Sequence, residues 1–348
     1  MTQSSGSSAA QEQPTILVLP SGTLYDEIIS PETEAQLKSI GRVIRYQSEE
    51  PGGRRVDPDQ VAELIGEADA VLTSWGAPKF DEKLMNRAVK LKVIAHAAGT
   101  IKGFVPPEVF DRGVSVTHAA ALIAEAVGEW ALTVTLMSLR RAYDFNRTMH
   151  EGGWAKRDFG FGEALYGKKV GIVAASMTGR AFIKLLQPFG CDIMVFDPYL
   201  SDERAKQLGV RRIDSIDELF RTADVVSNHA PTTPETDGMI GAKQLGLLRD
   251  GKLFVNTARP RAIDHDALIR ECRSGRIRAA LDVFPKEPLE ADSPLRGLPN
   301  VILSPHVAGG TEESRKRLGA GMVEELRRFF AGENLQYGVT KQMLATMA

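Results

Sequence analysis

Short apolar runs, each ended by a polar residue or a turn, alternate along the chain with stretches in which apolar side chains recur every third or fourth position. Continuous runs of four or five fit strands buried on both faces, and the 3.6-residue rhythm fits helices packed over them. In the first third, strands are predicted at 15–19, 70–73, 91–96 and 114–117, with helices around 61–65 and 82–85. Residues 123–139 read as one long helix, with Ile123, Val127, Trp130, Val134 and Met137 three or four apart. A helix so apolar on more than one side is expected to be buried between domains. Beyond it, strands are predicted at 170–173, 192–196, 225–228, 253–256, 277–281 and 301–303. Helices are expected at 178–186, 215–220, from Pro234 onward and at 264–273. The alternation predicts an α/β fold of two domains with parallel sheets, the second doubly wound. A last amphipathic helix from Thr311 to about Phe330 follows a second domain already complete, so the first domain is expected to recapture it.

Composition narrows the classes. With 348 residues and 43% hydrophobic content, the chain can bury two cores. A net charge of -2 and a pI near 6.4 argue against a nucleic-acid partner bound through its backbone. No stretch reads as a membrane span and no signal peptide is expected. Residues 1–13, rich in Ser, Gly and Gln, are expected to form a disordered tail. Cys191 and Cys272 lack metal-ligand spacing, so they are read as reduced thiols in a reducing, cytoplasmic setting, and no metal site is expected.

The candidate chemistry lies at strand ends, where open α/β sheets bind ligands. The run Val170-Gly171-Ile172-Val173-Ala174-Ala175-Ser176-Met177-Thr178-Gly179-Arg180 is a strand turning straight into a helix. One helix and one strand later, Asp197 ends the next strand. This is the layout of a dinucleotide-binding Rossmann unit, yet of its three usual glycines only Gly179 survives. Three later strands end in Arg259, Asp282 (with Glu287 in its loop) and His306. Arginine offers a rigid fork for a carboxylate, histidine a proton donor near neutral pH, and glutamate an orienting partner for it. Taken singly, each has a plain structural alternative, such as Asp282 capping the turn before Pro285. Together they suggest hydride transfer between a 2-hydroxy acid and a 2-keto acid.

Four segments then carry a family resemblance: Leu253 to Arg259, Asp282-Val283-Phe284-Pro285-Lys286-Glu287-Pro288, Ser304-Pro305-His306-Val307-Ala308-Gly309-Gly310-Thr311, and Pro231-Thr232-Thr233-Pro234-Glu235-Thr236 preceded by His229. The chain resembles the D-isomer-specific 2-hydroxyacid dehydrogenases over roughly Pro14 to Tyr337, phosphoglycerate dehydrogenase and glyoxylate reductase among them. The resemblance implies Arg259 as substrate anchor, His306 as general acid and base, and Glu287 as its partner. It implies a split substrate domain (14–122 with 312–348), an NAD-binding Rossmann domain (123–311) that includes the interdomain helix, and a homodimer built on the latter. Backbone N–H groups of Ala98, Gly99 and Thr100 would meet the substrate carboxylate, and Trp75, after the preceding strand, would line the far wall. Ser176, Met177, Thr178, Gly179, Asp197, His229, Pro231, Thr236, Thr257, Ala258, Asp282 and Gly309 would surround NAD. Asp197 favours NAD over NADP, because a carboxylate accepts from a free ribose hydroxyl and repels a phosphate. His96 and His118 are not read as catalytic, and no basic cluster for a phosphorylated substrate stands out.

Where the family has glycine, this chain has Ala174, Ser176 and Pro260, and Thr178 replaces a branched apolar residue. These departures raise the question of cofactor grip and loop geometry without deleting a reacting group. Two other functions suit the same scaffold: a non-catalytic, NAD-sensing corepressor-like protein, and an NAD-assisted dehydration or elimination.

Overall fold

The computed structural model describes residues 13–50, 52–154, 161–345 and 347, so the expected tail lies outside the described residues apart from Gln13. The chain forms two compact units, one running to Ala119 and resuming at Arg315–Leu344, the other spanning Ala120–Ser314. The first contains β1 (Thr15–Val18), α1 (Gly22–Ile28), α2 (Pro31–Ile40), β2 (Arg42–Arg45), α3 (Pro58–Leu64), β3 (Ala70–Thr73), α4 (Glu82–Met85), β4 (Val93–His96), α5 (Pro107–Asp111) and β5 (Ser115–His118). The second contains α6 (Ala120–Leu139), α7 (Ala142–His150), β6 (Lys169–Val173), α8 (Met177–Leu186), β7 (Asp192–Phe196), α9 (Asp202–Leu208) and β8 (Arg211–Arg212). It continues with α10 (Ile216–Thr222), β9 (Val225–Asn228), α11 (Ala242–Leu247), β10 (Leu253–Asn256), α12 (His265–Arg273), β11 (Arg278–Leu281) and β12 (Val301–Leu303). The C-terminal α13 (Glu312–Phe330) and β13 (Gly338–Val339) complete the first unit's strands and helices.

The sheet of the second unit runs β12-β11-β10-β9-β6-β7-β8, all parallel. Its order reverses at β6, so the crevice for a ligand opens between the ends of β6 and β9. Wholly buried Val170, Ile172, Val225, Phe254 and Leu281 explain why these strands read as unbroken apolar runs. The first unit's sheet runs β13-β5-β4-β3-β1-β2, parallel except for β13, which pairs antiparallel with β5.

The recapture of α13 has an electrostatic device. Glu325 is buried on the inner face of this amphipathic helix, and its carboxylate accepts from the Thr117 hydroxyl (3.0 Å) and the Gln336 and Tyr337 N–H groups (2.9 and 2.8 Å). A buried carboxylate without such donors would be costly, so these bonds tie α13 and the approach to β13 onto β5. Gly319 allows the same packing, since a Cβ there would sit 1.9 Å from the Ile28 carbonyl oxygen.

Two expectations are corrected. Residues from Pro234 onward form a turn, and the helix waits until Ala242. There the Thr236 hydroxyl bonds the Pro231 carbonyl (2.6 Å) and Gly238 takes a φ of 66°, both of which favour a closed turn over a helix. Contrary to the reading that no stretch resembles a membrane span, α6 has the length and apolarity of one. Its apolar surface packs on α8, where Gly128 brings the two backbones together: a Cβ there would lie 3.0 Å from the Phe182 nitrogen. The strands β2, β8 and β13 were not expected, being short and largely exposed or at sheet edges.

Candidate active site

His306 sits in the loop after β12 with a φ of 55°, a left-handed conformation rare for a residue with a side chain. Asp282, buried at the end of β11, enforces it. Its carboxylate accepts from the Ser304 hydroxyl and the Val307 and Ala308 N–H groups (2.9 Å each), and its carbonyl accepts from the His306 N–H (2.9 Å). A strained loop held by so many bonds aims its side chain reproducibly. The His306 ring meets Glu287 through Nδ1–Oε2 at 2.7 Å, which leaves Nε2 for another partner. The other Glu287 oxygen accepts from the Phe284 N–H (3.0 Å). Partial burial pushes the Glu287 carboxyl up, but the His306 bond, the Phe284 N–H and the charges of His306 and Arg259 outweigh it and hold it below the usual carboxylate range.

Arg259 lies after β10, half-buried; burial pulls its guanidinium down from its usual value while Glu287 opposes the shift. One terminal guanidinium nitrogen donates to the Ala258 carbonyl (2.8 Å), which folds the end of the side chain back against its own backbone. Pro260 opens a 3₁₀ turn at Pro260–Ala262, where its fixed φ and missing N–H are tolerated, and Arg259 before it is extended as the ring requires. The structure thus brings Arg259, Glu287 and His306 into one electrostatic cluster.

The dinucleotide turn survives without its first two glycines. Ala174 takes the left-handed φ of 70° that glycine usually supplies. Gly179 remains indispensable, because a Cβ there would lie 2.3 Å from the Ala174 oxygen. Ser176 caps α8, its hydroxyl accepting from the Gly179 N–H at 3.3 Å. The Asp197 carboxylate is pinned by the Ala175 and Tyr199 N–H groups at 2.9 and 2.8 Å. Arg180 is anchored to the Ala175 carbonyl (2.6 Å), and burial lowers it, with Arg204 adding to the shift and Asp197 opposing it.

These residues fit a dinucleotide. The first-turn N–H groups of α8 have no carbonyl before them in the helix and suit a pyrophosphate, and Asp197 stands where a ribose diol binds. At the end of β10 the Asn256 side-chain nitrogen and the Thr257 hydroxyl are buried without a hydrogen-bond partner among the described residues, two polar groups a ligand would satisfy. Ala258 beside them is buried, and Pro231 and Thr236 close the turn described above. Gly309 lies against Ile123 of α6, where a Cβ would come within 2.7 Å. His229 is wholly buried behind the turn, and burial drives it down to about 3, so the ring is neutral.

In the first unit, Ala98 is buried, Gly99 accepts from His118 Nδ1 (2.7 Å), and Thr100 receives the Lys102 N–H (3.2 Å). His96 and His118 are buried structural histidines, His96 held by Thr73 at 2.8 Å and pulled by burial down to about 3. Trp75 carries an unforeseen neighbour, Arg315 of α13, whose guanidinium carbon lies 4.0 Å from the ring centroid. One Arg315 nitrogen is buried with no hydrogen-bond partner among the described residues. No local spacing links Trp75 to Arg315, which lie at opposite ends of the sequence, so only the recapture of α13 could have suggested the pair. Among the described residues no cluster of His, Cys, Asp or Glu could hold a metal ion.

Comparison with known proteins shows the family. Residues 132–308 match the model of the D-isomer specific 2-hydroxyacid dehydrogenase, NAD binding domain. A D-3-phosphoglycerate dehydrogenase of Methanocaldococcus jannaschii is 33% identical over 276 residues, covering 79% of this chain and 52% of the relative. A glyoxylate reductase of Korarchaeum cryptofilum is 31% identical over 292 residues, 83% of this chain and 86% of the relative. The solved phosphoglycerate oxidoreductase of Rhizobium etli superposes with a TM-score of 0.78 at 26% identity, covering 93% of this chain and 97% of that one. The chain thus spans about half the length of the phosphoglycerate dehydrogenase it matches. It belongs to the D-isomer-specific 2-hydroxyacid dehydrogenase family, with NAD(H) as its cofactor.

Proposed function

We propose that the chain interconverts a small 2-keto acid and its D-2-hydroxy acid, with glyoxylate, hydroxypyruvate or a bulkier relative as substrate. The observation that carries this reading is the His306–Glu287 pair at 2.7 Å, with Arg259 close enough to bear on the same carboxylate. NADH, when bound, supplies the hydride. Arg259 holds the substrate carboxylate and polarises its carbonyl with a charge that never titrates away near neutral pH. His306 delivers a proton from Nε2 to the carbonyl oxygen as the alkoxide develops, and takes it back in the oxidation. Glu287, bonded to Nδ1, steadies the ring and keeps Nε2 turned toward the substrate.

The contacts proposed with substrate from the first unit are Trp75, Ala98, Gly99 and Thr100. For the cofactor they are Ser176, Met177, Thr178, Gly179, Asp197, His229, Pro231, Thr236, Thr257, Ala258, Asp282 and Gly309. A homodimer is proposed because α7 has no buried residue and leaves Tyr143 and Met149 exposed, with Trp154 and Phe161 exposed just beyond it. A reducing, cytoplasmic setting suits the free thiols of Cys191 and Cys272.

The experiment is a 2-keto acid panel with NADH, followed at the nicotinamide absorbance. Turnover on at least one small 2-keto acid is expected; no turnover across the panel, with NADH shown to bind, would refute the proposal.

A further inference from the structure

Behind the altered turn runs an unbroken line of four side chains. The Ser227 hydroxyl, at the end of β9, lies 2.8 Å from His229 Nε2. His229 Nδ1 lies 3.3 Å from the Thr178 hydroxyl, and Thr178 lies 3.1 Å from the Ser176 hydroxyl.

The protons in this line can be counted. His229 is neutral, so its ring carries one proton, and the three hydroxyls carry one each. Three contacts consume three protons and leave one over. If the line points toward Ser227, the leftover proton is that of Ser227. That residue is wholly buried, and its hydroxyl has no partner besides His229 among the described residues. A hydroxyl proton with no acceptor in the interior is expensive. If the line points the other way, Ser227 donates to Nε2, the Nδ1–H donates to Thr178, and Thr178 donates to Ser176. The Ser176 oxygen then accepts twice, from Thr178 and from the Gly179 N–H at 3.3 Å, and its own proton is left at the half-buried mouth of the turn. With the ring proton on Nδ1 no buried proton is stranded, since the Ser176–Thr178 contact can run either way between two half-buried hydroxyls, and the sense in which Thr178 donates frees the Ser176 proton for a ligand.

Ser176 occupies the position of the second fingerprint glycine, where the backbone comes nearest the pyrophosphate. We propose that Ser176 donates its hydroxyl proton to a phosphate oxygen of NAD(H), its direction set by the relay Ser227–His229–Thr178. The serine is then a hydrogen-bond donor to the phosphate that offsets the lost glycine. This inference rests on the assignment of NAD(H) to the turn and adds the residues through which this chain holds it.

Two readouts test it without turnover. Nitrogen-15 spectra of histidine-labelled protein report which ring nitrogen of His229 carries the proton; Nδ1–H is expected, and Nε2–H overturns the relay. Titration with NADH gives Kd for the parent, Ser176→Gly, Thr178→Val and the double variant. Losing a hydrogen bond to a charged phosphate is expected to weaken binding roughly ten- to hundredfold in Ser176→Gly. Thr178→Val is expected to weaken it less, and the double variant no more than Ser176→Gly alone, as for coupled residues. Binding as tight or tighter in Ser176→Gly, or additive losses in the double variant, overturns the proposal. A parent that fails to bind NADH at all would instead overturn the cofactor assignment on which it rests.

Discussion

At the scale of single residues, the groups proposed to act on substrate are those whose chemistry stands out most in the sequence. Arg259, Glu287 and His306 are chemically distinctive and end predicted strands, so fold rules alone gather them. What the sequence hides is how each is held. Nothing in the spacing tells that the Asp282 carboxylate folds the His306 loop by accepting from Ser304, Val307 and Ala308, or that Arg315 lies over Trp75. These contacts join residues distant in the chain through polar atoms with no periodicity. His306→Asn is expected to lower kcat about 10²- to 10⁴-fold with NADH affinity kept, checked by steady-state kinetics beside cofactor titration. Arg259→Lys replaces a planar fork by a point charge, so KM for the keto acid is expected to rise more than tenfold. An unchanged KM would remove Arg259 from the substrate.

The elements repeat the lesson in another form. Buried parallel strands announce themselves by continuous apolar runs, whereas β2, β8 and β13 are short or polar and left no comparable signal. The segment from Pro234 looked helical until side-chain bonds such as Thr236 to Pro231 closed it as a turn. The β6–α8 turn looked broken in sequence, yet its backbone keeps the glycine-like course with alanine at a φ of 70°. Strain is therefore stored at Ala174, and Ala174→Gly is expected to raise stability by up to about 1 kcal/mol, read from the denaturant midpoint. Gly179→Ala is expected to do the reverse. Its Cβ would meet the Ala174 oxygen at 2.3 Å, so α8 must move off the sheet, with loss of both stability and NADH binding. A Gly179→Ala protein as stable as the parent would refute this account of the turn.

For the molecule as a whole, the alternation of strands and helices gave the α/β class, while the long-range tie at Glu325 that returns α13 to the first unit emerged only in three dimensions. The same distinction governs pH dependence. His96 and His229 are buried neutral and pulled from 6.5 to about 3, whereas in the unfolded chain both take up protons near 6.5. Below that pH the unfolded state binds more protons, so stability is expected to fall as pH drops from about 6.5 toward 3. Denaturant midpoints across this range check it, and a flat profile would contradict the buried, neutral assignment. The central claim is hydride transfer to a 2-keto carbon with His306 supplying the proton. It is tested most directly by reducing hydroxypyruvate, or whichever acid the panel selects, with NADH deuterated at the transferring carbon. One deuterium at C2 of the D-2-hydroxy acid is expected, with turnover collapsing in His306→Asn. Product lacking deuterium at C2, or a His306→Asn enzyme as fast as the parent, would contradict the account.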